Sequence, residues 1–168
     1  IAKLNQEGKL EEGLLKLKKS SQKLMRWLFP STIALMFLSP YLFKYAYNEQ
    51  LVDGYKIFNI YLLLIVSRMI YPQTVIMGIM KNKIFYLISS NYLLINCILA
   101  FWFIYLFGIK GIAYATVISY LVEKIMLMIY CKMQGIDYRR FTPWVEHIIY
   151  SAVTIVAYYL TTVIEMPL

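Results

Sequence analysis

Three ionisable side chains sit inside apolar runs. Arg68 interrupts IFNIYLLLIVSRMIYPQTVIMGIM, and Glu123 and Lys124 stand side by side within GIAYATVISYLVEKIMLMIYC. A guanidinium or an ammonium in such surroundings attracts phosphate and carboxylate groups. A carboxylate there holds a cation or neutralises a neighbour. Asn59, Asn91 and Asn96 bring uncharged donors and acceptors into the same kind of setting. An ionisable group deep in an apolar segment costs on the order of several kcal/mol unless it is paired or wet. All six are therefore expected to face a bundle interior or a water-filled cavity. Arg68, and after it Lys124 and Glu123, are the candidate binding residues.

Bond-making chemistry has far less to work with. His147 is the one histidine, beside Glu146, and reads as a solvated polar residue at an interface. A single imidazole anchors neither a metal cluster nor a Ser–His pair with any conviction. No P-loop, GxSxG, HExxH or CxxC run is present. Cys97 falls in mid-segment and Cys131 near a segment end, too far apart in depth for a disulfide. No enzymatic activity, metal or cofactor is expected.

The elements that must carry these residues follow from composition. Of 168 residues, 61% are hydrophobic and 15% charged, with a mean hydropathy of +0.61. A soluble domain of this size has too little interior for so much apolar surface. Five stretches approach the ~20 residues needed to cross a bilayer: 24–47, 57–80, 84–107, 111–131 and 145–164. None alternates as a barrel strand does, and a backbone in hydrocarbon must satisfy itself, so all five are predicted helices. The expected architecture is an all-α integral membrane protein of about five spans over residues 24–164. Residues 1–23 precede the first span as a cytoplasmic basic segment.

Charge sets the orientation. Twelve Lys and Arg fall on the side from which odd-numbered spans start: Lys3, Lys9, Lys16, Lys18, Lys19, Lys23, Arg26, Lys81, Lys83, Lys132, Arg139 and Arg140. Only Lys44, Lys56 and Lys110 fall on the other. That asymmetry places the N-terminal side in the cytoplasm. The net charge of +8 then reflects this bias and attraction to anionic lipid, not nucleic-acid binding.

Local features refine the picture. In GKLEEGLLKLKKSSQKLMRWLF the stripe Leu10, Leu14, Leu17, Leu24 and Leu28 opposes a lysine-rich face. Such a helix is expected to lie on the cytoplasmic leaflet and run into the first span. Pro30, Pro40 and Pro72 remove backbone donors and are expected to kink their helices. Gly111, Ala115 and Ser119 recur every four residues, a small-residue stripe for close helix approach. Tyr41, Tyr45, Tyr47 and Tyr55 suit an aromatic belt at the membrane interface. At 1.5 Å per residue, Arg68 and Glu123 both lie roughly 17 Å below the outer end, so they pair if their helices are neighbours. If not, Arg68 faces the cavity. Lys124 is turned about 100° from Glu123 and is ~10 Å from the cytoplasmic end, within snorkelling reach.

The opening IAKLNQEGKLEEGLLKLKKSSQKL, followed by WLFPSTIALMFLSPYLF, resembles the segment entering the third helix of a repeat half in polysaccharide flippases. FGIKGIAYATVISYLVEKIMLMIYCKMQGIDY is similar to their last helix hairpin. The likeness runs from Ile1 to about Tyr138 and points to the multidrug/oligosaccharidyl-lipid/polysaccharide exporter superfamily. It implies a MATE-like transporter of two bundles, with this chain a C-terminal fragment supplying part of the second bundle and an N-terminal bundle as its missing partner. It implies alternating access around a central cavity in the cytoplasmic membrane. The cargo would be a lipid-linked oligosaccharide, a glycan on undecaprenyl diphosphate. No family motif covers Arg68, Lys124 or Glu123. Competing expectations are a drug/cation antiporter of the same superfamily, which calls for deep carboxylates such as Glu123, and a non-transporting membrane subunit, scaffold or membrane-embedded glycosyl enzyme.

The charge count makes a direct prediction. On sealed cells an impermeant thiol reagent should label a cysteine placed at Asp53 and leave Cys131 untouched, whereas outside labelling of Cys131 would reverse the orientation.

Overall fold

The computed structural model describes residues 1–46 and 53–163, and all regular structure among them is helical. Tyr47 at the end of the first predicted span, residues 48–52 of the connection after it and the last residue of the fifth predicted span lie outside the described residues. The elements are α1 (Ala2–Gln6), α2 (Leu10–Ala46), α3 (Gly54–Leu62), α4 (Leu64–Arg68), α5 (Pro72–Gly78), α6 (Asn82–Phe107), α7 (Ile109–Met133), α8 (Tyr138–Phe141) and α9 (Trp144–Val163).

Two of them, α6 and α7, are long and apolar enough to cross a membrane. Together α3, α4 and α5 make a third if the bent series counts as one span. Although α2 and α9 have the length, they fall short in apolarity. Serines, threonines and tyrosines dilute both, and α2 carries Pro30 and Pro40 besides.

The amphipathic segment and the first predicted span form a single 37-residue helix, uninterrupted by Pro30 and Pro40. Its leucine stripe divides in two. Leu14 is fully buried, with Leu10 and Leu17 packed beside it, whereas Leu24 and Leu28 are exposed. The buried part meets Val75 and Ile76 of α5, Leu127 and Cys131 of α7, and Ile136 and Phe141 near α8. Two polar contacts fasten the same end: Lys18 Nζ donates to the Arg139 carbonyl at 2.9 Å, and Arg140 lies 3.1 Å from Glu11. The cation-rich segments thus gather at one end of the molecule. Asp53 stands at the other, where its bond to Lys56 (2.6 Å), with a smaller contribution from Lys110, holds its carboxyl below the usual carboxylate range.

The closest helix pair is α6 with α7, joined through Gly108 alone. Gly108 has φ +60° and ψ −144°, a conformation side chains reject, which lets the chain reverse in one residue. Three residues on, a Cβ at Gly111 would collide with the backbone of Phe103 and Ile104. The small-residue stripe therefore does what its spacing suggests: Gly111, Ala115 and Ser119 are all buried.

Pro72 breaks the second predicted span. The axis of Gly54–Arg68 and that of Pro72–Gly78 differ by 41°. Proline supplies no N–H to the carbonyl four residues back, and it drives the preceding residue out of the helical region. Tyr71 accordingly sits at φ −115°, ψ 48°. Pro40 leaves a smaller wound in α2, where the Met36 carbonyl loses its helical donor. Asn59 of α3 donates to that carbonyl through Nδ2 at 3.2 Å, and its Oδ1 accepts from Ser39 Oγ at 2.7 Å. Asn59 is thus buried in the bundle, as expected of a polar group at its depth.

Cys131 is fully buried, so its silence toward a reagent carries no topological information, and an exposed site such as Lys83→Cys serves better. Gly111→Val should cost about 3 kcal/mol or more by forcing two backbones apart. A thermal midpoint in detergent that stays within a degree or two of wild type would contradict this contact.

Candidate functional site

The break at 69–71 and the middle of α7 build one polar cluster. On α7, Tyr120, Glu123 and Lys124 are three and four residues apart and share a face. Both α3 and α4 pack against that helix, so the helices carrying Arg68 and Glu123 are neighbours. They do not pair. Glu123 accepts from Ser89 Oγ of α6 at 2.7 Å and lies 3.9 Å from its own neighbour, Lys124.

Lys124 departs furthest from expectation. It does not snorkel; it is 6% exposed, with Nζ donating to Gln73 Oε1 at 2.8 Å. The break makes that bond possible, because Gln73 is the second residue of α5 and the change of axis gives it a new direction. A buried ammonium needs a carboxylate and good acceptors near it, and Glu123 and Gln73 supply them.

Arg68 ends α4, immediately before the break, and is exposed. Its guanidinium carbon lies 5.4 Å from the Tyr120 ring centroid, a cation–π contact. Tyr92 of α6 packs against Tyr120 in turn, with ring centroids 4.7 Å apart. Among the described residues no carboxylate lies within 4 Å of Arg68. The cluster therefore holds two cations and one anion, and the carboxylate is committed to Lys124. Arg68 is thus the cation of the cluster with no carboxylate beside it among the described residues.

Three other helices repair the break. Val66, which would accept from the Ile70 amide in an intact helix, instead takes the His147 Nε2 of α9 at 2.8 Å. A carbonyl only accepts, so Nε2 carries the proton. Met69, two residues before the missing turn closes, accepts from Ser21 Oγ of α2 at 3.3 Å. Pro72 receives a weak contact from Cys131 Sγ of α7 at 3.9 Å. His147 is thus half-buried between Phe29 and the broken span, not solvated as its place beside Glu146 suggests. Glu146 is half-buried too, accepting from Gln22 at 2.6 Å.

Asn91 and Asn96 behave differently from Asn59. Neither amide hydrogen-bonds to any described residue, and Asn91 is exposed on α6. An apolar cleft of about 140 Å³ opens between α4, α7 and α9, lined by Leu63, Val66, Ser67, Val117, Leu121 and Ile155. None of the three candidate residues lines it, and its aliphatic wall suits a hydrocarbon chain better than a charged group.

Sequence reasoning missed Gln73, Ser89, Tyr92 and Tyr120. Tyr120 was within reach, being one helical turn before the Glu123–Lys124 pair. Ser89 and Tyr92 depend on α6–α7 register, which no single helix encodes. The chain matches no family model, no characterised protein and no solved structure.

Breaking the buried pair from one side should be costly. Glu123→Gln or Lys124→Met alone leaves an uncompensated charge and should destabilise by about 3–5 kcal/mol. The double variant should recover most of that loss in thermal-stability measurements, whereas additive losses would show that the two side chains do not depend on each other.

Proposed function

We propose that this chain forms part of one bundle of an exporter that moves a lipid-linked oligosaccharide across the cytoplasmic membrane by alternating access. In this reading all five predicted spans cross the bilayer, α2 and α9 included, with the cation-rich end in the cytoplasm. A second bundle supplies the opposite wall of the cavity.

One observation carries the reading. Arg68 is a deep cation without a carboxylate partner among the described residues, held on an aromatic face beside a helix break. Such a group suits the diphosphate of a lipid carrier, because phosphate oxygens accept from the guanidinium fork in pairs. The break favours movement at the same place, since a span already interrupted at 69–71 bends without breaking further backbone bonds. The tail of the carrier would stay in the bilayer. Neither a metal nor a cofactor is called for.

A drug/cation antiporter of the same superfamily would use a deep carboxylate to hold its cargo. Glu123 is the deep one here, and its oxygens are engaged by Ser89 and Lys124. That commitment favours the anionic cargo. A non-transporting subunit has no use for an unpaired guanidinium at mid-span.

The test is transport by the full-length protein at matched membrane levels. Arg68→Ala should lower transport roughly 10- to 100-fold, the worth of a charge-assisted bond, and Arg68→Lys should restore part of it. Because Lys124 already accompanies Glu123, adding Glu123→Ala should not rescue Arg68→Ala. Rescue would mean that Arg68 only balances Glu123, and the anion-site reading would fall.

A further inference from the structure

Among the described residues no element packs along the outer face of α6, and one residue on that face is wrong for lipid. Contacts of α6 run to α7 and, near its start, to α5. The side facing away from α7 carries Leu87, Asn91, Leu94, Ile98, Phe101 and Tyr105. Their spacing is 4, 3, 4, 3, 4, the alternation of a heptad seam in which one helix packs along another. The apolar members are 61–88% exposed.

Asn91 stands in the middle of this seam. It lies about 13 Å from the Asn82 end of α6 and about 24 Å from the Phe107 end, within the hydrocarbon of a span this long. Its amide hydrogen-bonds to no described residue. Lipid tails offer it no partner, and an unmade amide hydrogen bond in hydrocarbon is costly. Water is no remedy on a face otherwise built of leucine, isoleucine and aromatic rings. The seam therefore needs a covering surface that is apolar along its length and polar at one depth.

We propose that this surface is the same seam of a second copy, so that the protein dimerises in the membrane through α6. A carboxamide both donates and accepts, so two Asn91 side chains facing across a two-fold axis satisfy each other. Copies inserted in the same orientation have that axis along the membrane normal, which makes the two α6 helices parallel. In a parallel pair, like positions meet: Asn91 on Asn91 and Ile98 on Ile98. One polar residue at such a position also fixes the register, since any slip of the helices unmakes its hydrogen bonds. This inference is independent of what the protein transports.

Oxidative cross-linking of the full-length protein in native membranes tests it. The background is Cys97→Ser, with the buried Cys131 left in place. Single cysteines at Leu94 and Ile98 should cross-link copies readily. Cysteines at Leu93, which is exposed but off the seam, and at Asn96, which is half-buried and off the seam, should not. Asn91→Leu in the Leu94→Cys chain should weaken association about tenfold, while Asn91→Gln should largely preserve it. Absence of cross-links at Leu94 and Ile98 would mean that lipid or another part of the protein covers the seam. Equal cross-linking at Leu93 would mean random collision. Stronger association of Asn91→Leu would mean that the amide opposes the contact. Each of these outcomes overturns the proposal.

Discussion

A backbone carbonyl in a dry interior must find a donor, and Pro72 takes one away from the middle of a predicted span. Most of what is particular to this bundle answers that loss. Rather than bend gently, the chain stops at Arg68 and restarts at Pro72, leaving the Val66 and Met69 carbonyls without their helical partners. His147 reaches in from α9 and Ser21 from α2. Each brings its helix against the broken segment, and Phe29 packs between them on Tyr150 at 5.3 Å. Met25, Phe29 and Met69 form the small apolar core around this junction. Asn59 repeats the device one level away, covering the Met36 carbonyl that Pro40 exposes.

The same break positions the charges. Without it, Gln73 would continue the face of an unbroken helix, and Lys124 would lack its nearest acceptor. Arg68, at the last position of α4, has its neighbours on one side removed and reaches Tyr120. The ion pair on α7 absorbs the only carboxylate of the cluster, leaving the guanidinium as the uncommitted charge. Geometry and charge thus come from one proline, the hydrogen bonds of His147, Ser21 and Gln73 around the break, and the register of the α6–α7 hairpin.

The elements were more legible than their contacts. The third and fourth predicted spans, 84–107 and 111–131, differ from α6 and α7 by two residues at the ends that differ, because apolar runs bounded by Lys and Gly leave little choice. Pro72 and the Gly111 stripe also announced themselves, since each acts through local backbone geometry. Fusion of the amphipathic segment with the first span was less visible. Only its packing on α5 and α8 shows that Leu14 faces protein, and the moment of a helix does not say what covers its apolar side. The partners of His147, Ser21, Gln73 and Asn59 were illegible for one shared reason. A lone polar residue in an apolar run means a solvated end, a buried bond or a ligand, and the choice depends on which helix is opposite. Asn91 has the same spelling as Asn59, yet one amide fills a gap in the chain and the other faces outward.

His147 is held by the break in the second span, and a double-mutant cycle measures that dependence. His147→Leu strands the Val66 carbonyl, and its thermal stability in detergent should fall by about 1–3 kcal/mol. Pro72→Leu allows the helix to close through 69–71 and return the Ile70 amide to Val66. The double variant should therefore lose less than the sum of the two single changes, with at least about 1 kcal/mol of coupling. Strictly additive losses would contradict the account, because they would mean that His147 and the break stabilise the bundle independently.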